Sequence, residues 1–277
     1  MHDQFSLASP LVLVGCGHMG RALAEGWLKA GLLPAALVVV DPAVSFGSLS
    51  GVPAENFYGA PKGLPNKLKA RVVVLAVKPQ IIAGVLTGLK AIVQTGTLVV
   101  SVAGGITLET LVEGFGEEPD YVRAMPNTPA AVGAGITGLV AHRGIHDGNK
   151  TLASDLFAAV GSAVWVPAEN HMNTVTAVSG SGPAYVFHLV ECMAAAGVRE
   201  GLTEETASAL ARQTIIGAAK LLEADVETSA STFRERVTSP AGTTAAALEV
   251  LMQENGLQVL MRHAIRAARK RGEELAG

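Results

Sequence analysis

Short apolar runs recur along the first part of the chain. They are Leu11–Val14, Leu37–Val40, Arg71–Val77, Thr97–Val102, Tyr121–Met125, Gly138–Ala141 and Ala163–Val166. Runs that are apolar without alternation are typical of strands buried on both faces. Helical spacing separates several of these runs, notably at Ile81–Val93 and Thr151–Val160. Strands that alternate with helices predict an open parallel sheet covered by helices on both faces.

The first apolar run leads directly into Gly15-Cys16-Gly17-His18-Met19-Gly20, and helical spacing follows. The second run ends on Asp41. This order of strand, glycine turn, helix, strand and acid is typical of a dinucleotide-binding site. Gly15 permits the tight turn, Gly17 lets the backbone approach a pyrophosphate, and Gly20 allows close packing. The helix N-terminus then favours phosphate, although a purely structural glycine turn is the alternative.

The pattern changes after Pro167, where strand-like runs stop and Ala, Leu, Glu and Arg dominate. Helices are predicted at about 169–196, at about 203–223, at Thr243–Asn255 and at Leu257–Leu275. The predicted fold class is therefore α/β. We expect residues 1–167 to form a Rossmann-like, parallel-sheet, dinucleotide-binding domain and residues 168–277 to form an all-α dimerisation domain. Ala-rich helices alone make a thin core, so we expect a second copy to pack against them; a monomeric helical cap is the alternative.

Composition narrows the possible partners. Hydrophobic residues make up 49% of the 277 residues, which favours burial of some apolar surface between subunits. The net charge of −3 provides no basic field for a polyanion, so nucleic acid is not expected. Two cysteines fit a reducing compartment. With no membrane-length apolar stretch and no basic head at the N-terminus, we expect a cytoplasmic protein without membrane contact.

Three further segments with candidate chemistry follow predicted strands. The segment Ala76-Val77-Lys78-Pro79-Gln80 ends one buried strand, and Lys78 is either a phosphate ligand or a solvent-facing lysine. Ser101-Val102-Ala103-Gly104-Gly105 offers small residues against which a ring can lie. Met125-Pro126-Asn127-Thr128-Pro129 is a stiff loop suited to holding an amide or a ribose, or is a plain connecting turn.

Two segments break local rules within the helical part. Ser179-Gly180-Ser181-Gly182-Pro183-Ala184-Tyr185 places two glycines and a proline in a helical pattern. This predicts a kink that packs tightly against another helix or a ligand, or that is only structural. Val237-Thr238-Ser239-Pro240-Ala241-Gly242-Thr243-Thr244 precedes a helix. Its helix N-terminus and threonine hydroxyls predict an anion site, suited to a carboxylate, or an ordinary N-cap.

Five of these segments resemble the pyrroline-5-carboxylate reductase family: the glycine turn Gly15–Gly20, Ala76–Gln80, Met125–Pro129 with the preceding Arg123-Ala124, Ser179–Tyr185 and Val237–Thr244. They occur in the family's order and span residues 11 to about 250. The resemblance implies hydride transfer from NADH or NADPH to the cyclic imine pyrroline-5-carboxylate, which gives L-proline in the last step of proline biosynthesis. It also implies a homodimer or higher assembly, with the substrate site near the dimer interface, and no metal.

The resemblance also implies roles for particular residues. Coenzyme contacts are expected from Gly15, Cys16, Gly17, His18, Met19, Gly20, Asp41, Pro42, Val77, Lys78, Pro79, Ala103, Gly104 and Asn127. Substrate contacts are expected from Gly242, Thr243, Thr244, Glu169 and Thr176. Thr243 and Thr244 would hold the substrate carboxylate and imine, and Thr244 would exchange a hydrogen bond with the imine nitrogen. No His, Asp or Lys acid–base group stands out, which fits addition to an imine that is already protonated.

The chain departs from the family pattern at two places. Ala241 stands where the family usually has glycine, which predicts a stiffer loop. The segment from Val52 to Lys69 matches poorly and leaves the adenosine-contacting residue unassigned. Independently of the resemblance, Asp41 is expected to bind a ribose diol and repel a 2′-phosphate, which favours NADH over NADPH.

Two rival functions remain open. A related Rossmann hydroxyacid or imine reductase would need a catalytic lysine in the helical domain, and Lys220 is the best candidate although it lies among alanines. A non-catalytic dinucleotide-binding protein is the second rival. The threonine-rich anion site argues against it, because a coenzyme sensor needs no substrate pocket.

Overall fold

Eight strands form the sheet of this structure, a computed structural model that describes residues 4–275. They are β1 (Leu11–Val14), β2 (Leu37–Val40), β3 (Phe57–Tyr58), β4 (Val72–Leu75), β5 (Leu98–Ser101), β6 (Asp120–Met125), β7 (Gly135–Ala141) and β8 (Gly161–Trp165). Their order across the sheet is β3-β2-β1-β4-β5-β6-β7-β8. Every residue of β1, β2, β4 and β5 is buried, as their non-alternating apolar runs predict.

Strand direction departs from the prediction at one pair. All neighbouring strands are parallel except β6 and β7, which are antiparallel. The segment 126–134 between them contains only a 3₁₀ turn. A parallel return needs a crossover of a dozen or more residues, so this short link permits only reversal. The predicted parallel sheet therefore contains one antiparallel pair, beyond which β7 and β8 run opposite to the other strands.

Helices cover both faces of the sheet. The first-unit helices are α1 (His18–Lys29), α2 (Ile82–Leu89), α3 (Leu108–Phe115), α4 (Asp147–Ala158) and α5 (Met172–Val175), followed by a π-helical turn at Thr176–Gly180. Helices α1 and α4 pack on one face, where the Trp27 indole donates to the Leu156 carbonyl oxygen at 2.8 Å. Helices α2 and α3 pack on the other face through Leu86, Leu89 and Leu111. Each face buries its own apolar core.

Short 3₁₀ turns connect several elements. They lie at Pro34–Ala36, Ala54–Asn56, Pro61–Gly63, Pro79–Ile81, Thr128–Val132 and Glu169–His171. Five of the six begin next to or with a proline, whose fixed φ suits the first position of a turn.

Only helices follow β8 in the described chain. After α5 and the π-helical turn, these are α6 (Gly182–Arg199), α7 (Glu204–Ala224), α8 (Ala230–Arg236), α9 (Thr243–Leu251) and α10 (Leu257–Leu275). The contacts divide the chain into a first unit, residues 1–181 with 268–277, and a second unit, residues 182–267. The predicted α/β class with a helical second part is confirmed. The predicted domain boundary between residues 167 and 168 stays a prediction.

Three elements were not predicted from the sequence. Strand β3 has two residues, too few for a recognisable pattern. Helix α3 has eight residues and α8 has seven, and both begin after a hydroxyl N-cap, Thr107 and Ser229 respectively. Each of these caps accepts a hydrogen bond from the backbone N–H three residues on, which is the signal that identifies both helices.

Candidate active site

Loops from five strands meet at one edge of the sheet. Strands β1, β2, β4, β5 and β6 are parallel, so their carboxyl ends lie on the same side. Strand β1 lies between β2 and β4, which makes it the point where the strand order reverses. Ligands of open α/β sheets bind at the carboxyl ends beside such a switch point.

The glycine loop after β1 has an open helix N-terminus. Gly15 has φ +91°, a left-handed conformation that L side chains rarely adopt. Gly17 is the N-cap of α1, and no described side chain caps this helix. A Cβ at Gly17 would enter open space, whereas one at Gly20 would overlap the Gly15 carbonyl oxygen. The exposed N–H groups and the helix dipole make this loop chemically suited to a pyrophosphate.

Asp41 joins the end of β2 to the glycine loop. Its Oδ2 accepts a hydrogen bond from the Cys16 backbone N–H at 2.7 Å, and its Oδ1 accepts from the Ala43 N–H at 2.8 Å. Charge-assisted bonds of this length hold the carboxylate firmly beside the loop. The adjacent Pro42 is exposed.

The cysteine inside the glycine loop is chemically quiet. Cys16 is buried, and burial raises the pKa of its thiol to about 11. The nearby Asp41 and Glu25 carboxylates also raise this pKa, while Arg21 lowers it. The thiol is therefore neutral near pH 7, which argues against a redox or nucleophilic role.

The loops after β4 and β5 line the same edge. Val77 packs close to Gly15, because a Cβ built at Gly15 would lie 2.9 Å from the Val77 Cγ1. Lys78 and Pro79 are exposed beyond it. Ala103 is buried and its N–H donates to the Ser101 hydroxyl at 3.3 Å, while Gly104 is exposed with open space at its Cβ position. These five residues follow β4 and β5 at the edge that carries the glycine loop, and their role as coenzyme contacts stays a prediction.

Asn127 has protein partners for its side chain. Its Nδ2 donates to the Ser179 carbonyl oxygen at 3.1 Å, and its Oδ1 accepts from the Ile136 N–H at 2.9 Å. Ser179 lies in the π-helical turn, where the Ser181 N–H bonds to the Thr176 carbonyl oxygen at 2.8 Å. The wide turn departs from the regular ladder and presents a carbonyl to Asn127. The predicted kink is thus a π-helical turn. Its hydrogen bond with Asn127 connects the loop after β6 to the helical segment that begins with α5.

Glu169 and Thr176 also bond within the first unit. Glu169 Oε1 accepts from Arg123 Nη1 at 3.0 Å and from the Leu108 backbone N–H at 2.9 Å. Thr176 donates its hydroxyl to the Met172 carbonyl oxygen at 2.8 Å. Arg123 was missed by the sequence analysis, although its presence in an apolar strand predicts a buried partner. Its side chain is only 5% exposed.

The predicted anion site of the second unit begins α9. Gly242 is the N-cap, and no described side chain caps the helix. Thr243 is exposed and Thr244 half-buried in the first turn. Ala241, just before them, has φ +57° and is the one non-glycine residue among 4–275 with a positive φ. An alanine in this left-handed conformation is sterically strained, and the predicted stiffness of the loop stays a prediction.

A cavity of about 700 Å³ lies between α3 and β7, lined by acids of α3 and by Glu169 but not by the glycine loop. Among residues 4–275, no group of three or more His, Cys, Asp or Glu side chains is placed to bind a metal ion. Over the same residues, no helix has the length and apolarity needed to cross a membrane.

The sheet order, glycine loop and β2 acid define the first unit as a dinucleotide-binding protein of the Rossmann class. Residues 10–105 match the family described as NADP oxidoreductase coenzyme F420-dependent. Residues 169–275 match the family described as pyrroline-5-carboxylate reductase dimerisation.

Relatives extend this match over nearly the whole chain. The chain is 39% identical over 269 residues to pyrroline-5-carboxylate reductase of Haemophilus influenzae, covering 96% of this chain and 97% of the relative. The solved enzyme of Coxiella burnetii is 37% identical with a TM-score of 0.88, covering 98% and 99%. The Plasmodium falciparum enzyme, solved with NADP bound, is 29% identical with a TM-score of 0.80, covering 97% and 98%. The chain belongs to the pyrroline-5-carboxylate reductase family, which confirms the resemblance drawn from its sequence.

Proposed function

We propose that this chain reduces pyrroline-5-carboxylate to L-proline with NADH or NADPH, as the last step of proline biosynthesis. The observation that carries the proposal is the joint presence of two sites. One is an uncapped glycine-loop helix in the first unit, and the other is the Gly242–Thr244 helix start in the second. Relatives that span the same length are reductases of this substrate.

The reaction requires the protein mainly to align the coenzyme with the substrate. The bound coenzyme supplies a hydride to the imine carbon, and the protonated imine nitrogen keeps its proton in the product. Gly15–Gly20 would hold the pyrophosphate and Asp41 the adenosine ribose, while Ala103 and Gly104 would face the nicotinamide. Thr243 and Thr244 would bind the carboxylate and the imine nitrogen. Such positioning can supply a large part of the rate enhancement, because both reactants are held in reactive geometry.

Self-association follows from the same family. Residues 169–275 match a dimerisation model, and the second unit exposes large apolar side chains. We infer a homodimer, or a larger assembly built from it, in which those side chains are buried. We also infer a cytoplasmic location, because Cys16 and Cys192 are both free thiols.

Absorbance at the NADH band tests the activity directly. The purified chain, mixed with NADH or NADPH and pyrroline-5-carboxylate, is expected to oxidise the coenzyme and form proline. Replacing the imine by a 2-keto acid, or supplying a 3-hydroxy acid with NAD+ or NADP+ as the hydride acceptor, tests the rival reductases. Coenzyme binding without turnover on any of them would support the non-catalytic rival instead.

We also propose a preference for NADH. Asp41 places a carboxylate beside the loop, and the sequence has no Lys, Arg or His between residues 30 and 61 to pair with a 2′-phosphate. A like-charge contact disfavours NADPH. Wild-type kcat/KM should favour NADH, and Asp41→Asn should narrow that preference by about tenfold, equal to 1.4 kcal/mol. A wild-type preference for NADPH would overturn the assignment.

A further inference from the structure

Three separate segments of the first unit meet at one carboxylate oxygen. Glu169 Oε1 accepts from Arg123 Nη1 of β6 at 3.0 Å and from the Leu108 N–H at the start of α3 at 2.9 Å. Glu169 itself lies in the 3₁₀ turn that leads into α5 and the π turn. Through one carboxylate oxygen, Glu169 therefore links the segment before the π turn to β6 by an ion pair and to α3 by a backbone hydrogen bond.

The Leu108 end of this contact lies next to the proposed nicotinamide site. Ala103 and Gly104 belong to the loop between β5 and α3, and Leu108 is the first residue of α3. The other end of that loop is held through Ser101, which pairs with Arg123 in the sheet register. Arg123 therefore lies beside one end of the loop and reaches the other end through Glu169.

Arg123 cannot act by touching substrate. Its side chain is 5% exposed, and its Nε has no hydrogen-bond partner among the described residues. A buried guanidinium with an unsatisfied donor costs folding free energy. An apolar side chain at position 123 would avoid that cost. The neighbouring positions of β6 carry buried apolar side chains, Val122 and Ala124. The ion pair with Glu169 is the contact through which this buried charge acts on the surrounding structure.

We propose that Arg123 is a positioning residue, which through Glu169 fixes the loop between β5 and α3 and thereby the nicotinamide ring. The inference rests on the proposed coenzyme role of Ala103 and Gly104. It assigns Glu169 a position-holding role within the first unit, in place of a direct charge on the substrate. The pyrophosphate contacts at the glycine loop do not depend on this pair, so coenzyme affinity and ring alignment are separable.

Two substitutions test the role. Arg123→Met removes the donor and the charge while keeping most of the volume, and Arg123→Lys keeps the charge without the planar fork. Arg123→Met should lower kcat by about 10- to 100-fold, because a displacement of about 1 Å can cost 10²-fold. NADH Kd should change less than about threefold. Lysine should restore part of the loss.

Two further readouts follow the ring itself. The primary isotope effect with NADH deuterated at the transferred position should increase in Arg123→Met, since hydride transfer becomes slower than the other steps. The fluorescence of bound NADH should move toward that of free NADH. Arg71→Met is the matched control. Arg71 immediately precedes β4, at the opposite end of the strand from the site loops, and donates to the Gly96 carbonyl oxygen at 3.3 Å. This variant should change neither readout.

The outcomes separate this inference from the proposed function. Lower thermal stability with unchanged kcat, isotope effect and bound fluorescence in Arg123→Met would overturn the positioning role. A proportional loss of NADH affinity would overturn it too. If Arg123→Met fails to fold, Arg123→Met with Glu169→Gln removes both charges and carries the same expectations. Wild-type protein that binds NADH but reduces no imine would refute the proposed function, and the fluorescence comparison would still decide the positioning role.

Discussion

The two compact units differ in how much apolar surface each buries. In the first unit, four central strands are buried throughout, with helices on both faces. In residues 182–267, the buried apolar residues are Ala207 and Ala211, while Phe187, Leu221 and Leu260 are 64%, 57% and 62% exposed. One unit completes its core within the chain, and the other leaves its large side chains outside.

The packing of α6 against α7 explains this difference. Gly197 of α6 faces Ala207 of α7, and a Cβ at Gly197 would lie 3.3 Å from the Ala207 Cβ. Small residues let the helices approach closely but bury little area. The hairpin therefore places small residues inside and large ones outside, the reverse of a self-contained domain. Such a surface suits a second copy of the chain.

The largest expected effect lies in the self-contained unit. Glu169→Ala leaves the Arg123 charge buried without its partner, which should cost about 3–5 kcal/mol of unfolding free energy. Arg123→Met instead leaves Glu169, whose side chain is 29% exposed and keeps the Leu108 N–H, so at most about 2 kcal/mol is expected. Urea unfolding of both variants measures the asymmetry. Equal losses, or a larger loss in Arg123→Met, would contradict it.

A new charge should disrupt the second unit in a different way. Leu221 and Leu222 line an apolar groove between α7 and α8 together with Phe233. Leu221→Glu should weaken self-association by about 3 kcal/mol, or roughly 100-fold, because a charge loses hydration when it is buried. Sedimentation velocity across a concentration series measures the shift. NADH binding by the first unit should persist.

Leu7→Glu is the matched control for this experiment. Leu7 is 74% exposed in the first unit, so the same change there should leave the assembly intact. Dissociation by both variants, or by neither, would show that the contrast between the units does not identify the self-association surface.

The catalytic contribution of the second unit is expected to be smaller. Thr244→Ala should lower kcat by about 10- to 100-fold, which is about 1.4–2.7 kcal/mol, with little change in NADH Kd. The reason is that Thr244 would bond the imine nitrogen and not the coenzyme. Thr238→Ala is the control, since the Thr238 hydroxyl donates to the Arg234 carbonyl oxygen. Unchanged steady-state kinetics in Thr244→Ala would refute the role.

Local signals predicted most of the first unit. Each buried strand is an apolar run in the sequence, and that pattern predicts it. The glycine loop is predicted because each of its three glycines meets a different steric requirement. The edge where candidate site residues meet follows from the alternation of strand and helix patterns, which predicts parallel strands. These features depend on residues that are neighbours in sequence.

Features that depend on distant residues were not predicted. Arg123 and Glu169 are 46 residues apart, and Asn127 and Ser179 are 52 apart, so neither pair has a local pattern. Strand β7 runs antiparallel to β6 because residues 126–134 contain no α-helix. The apolar run of β7 does not indicate this. Pairing of charges and strand direction are tertiary properties, and they decide how the site is supported.

The smallest expected effect concerns the backbone before α9. Ala241 has φ +57°, which costs roughly 1–2 kcal/mol for a residue with a Cβ. Glycine removes this cost but loses about 0.4–1 kcal/mol through greater freedom of the unfolded chain. Ala241→Gly should therefore stabilise the protein by about 0.5–1 kcal/mol. Ala246→Gly, inside α9, should destabilise it by about 0.5–1 kcal/mol.

The opposite signs of these two alanine substitutions make the measurement decisive. Both change the same side chain within six positions of each other, so solubility and purification effects cancel. If Ala241→Gly also raises the KM for pyrroline-5-carboxylate, the left-handed alanine holds Thr243 and Thr244 in place at a cost in stability. Destabilisation by Ala241→Gly would instead show that this loop adopts another conformation in the assembled protein.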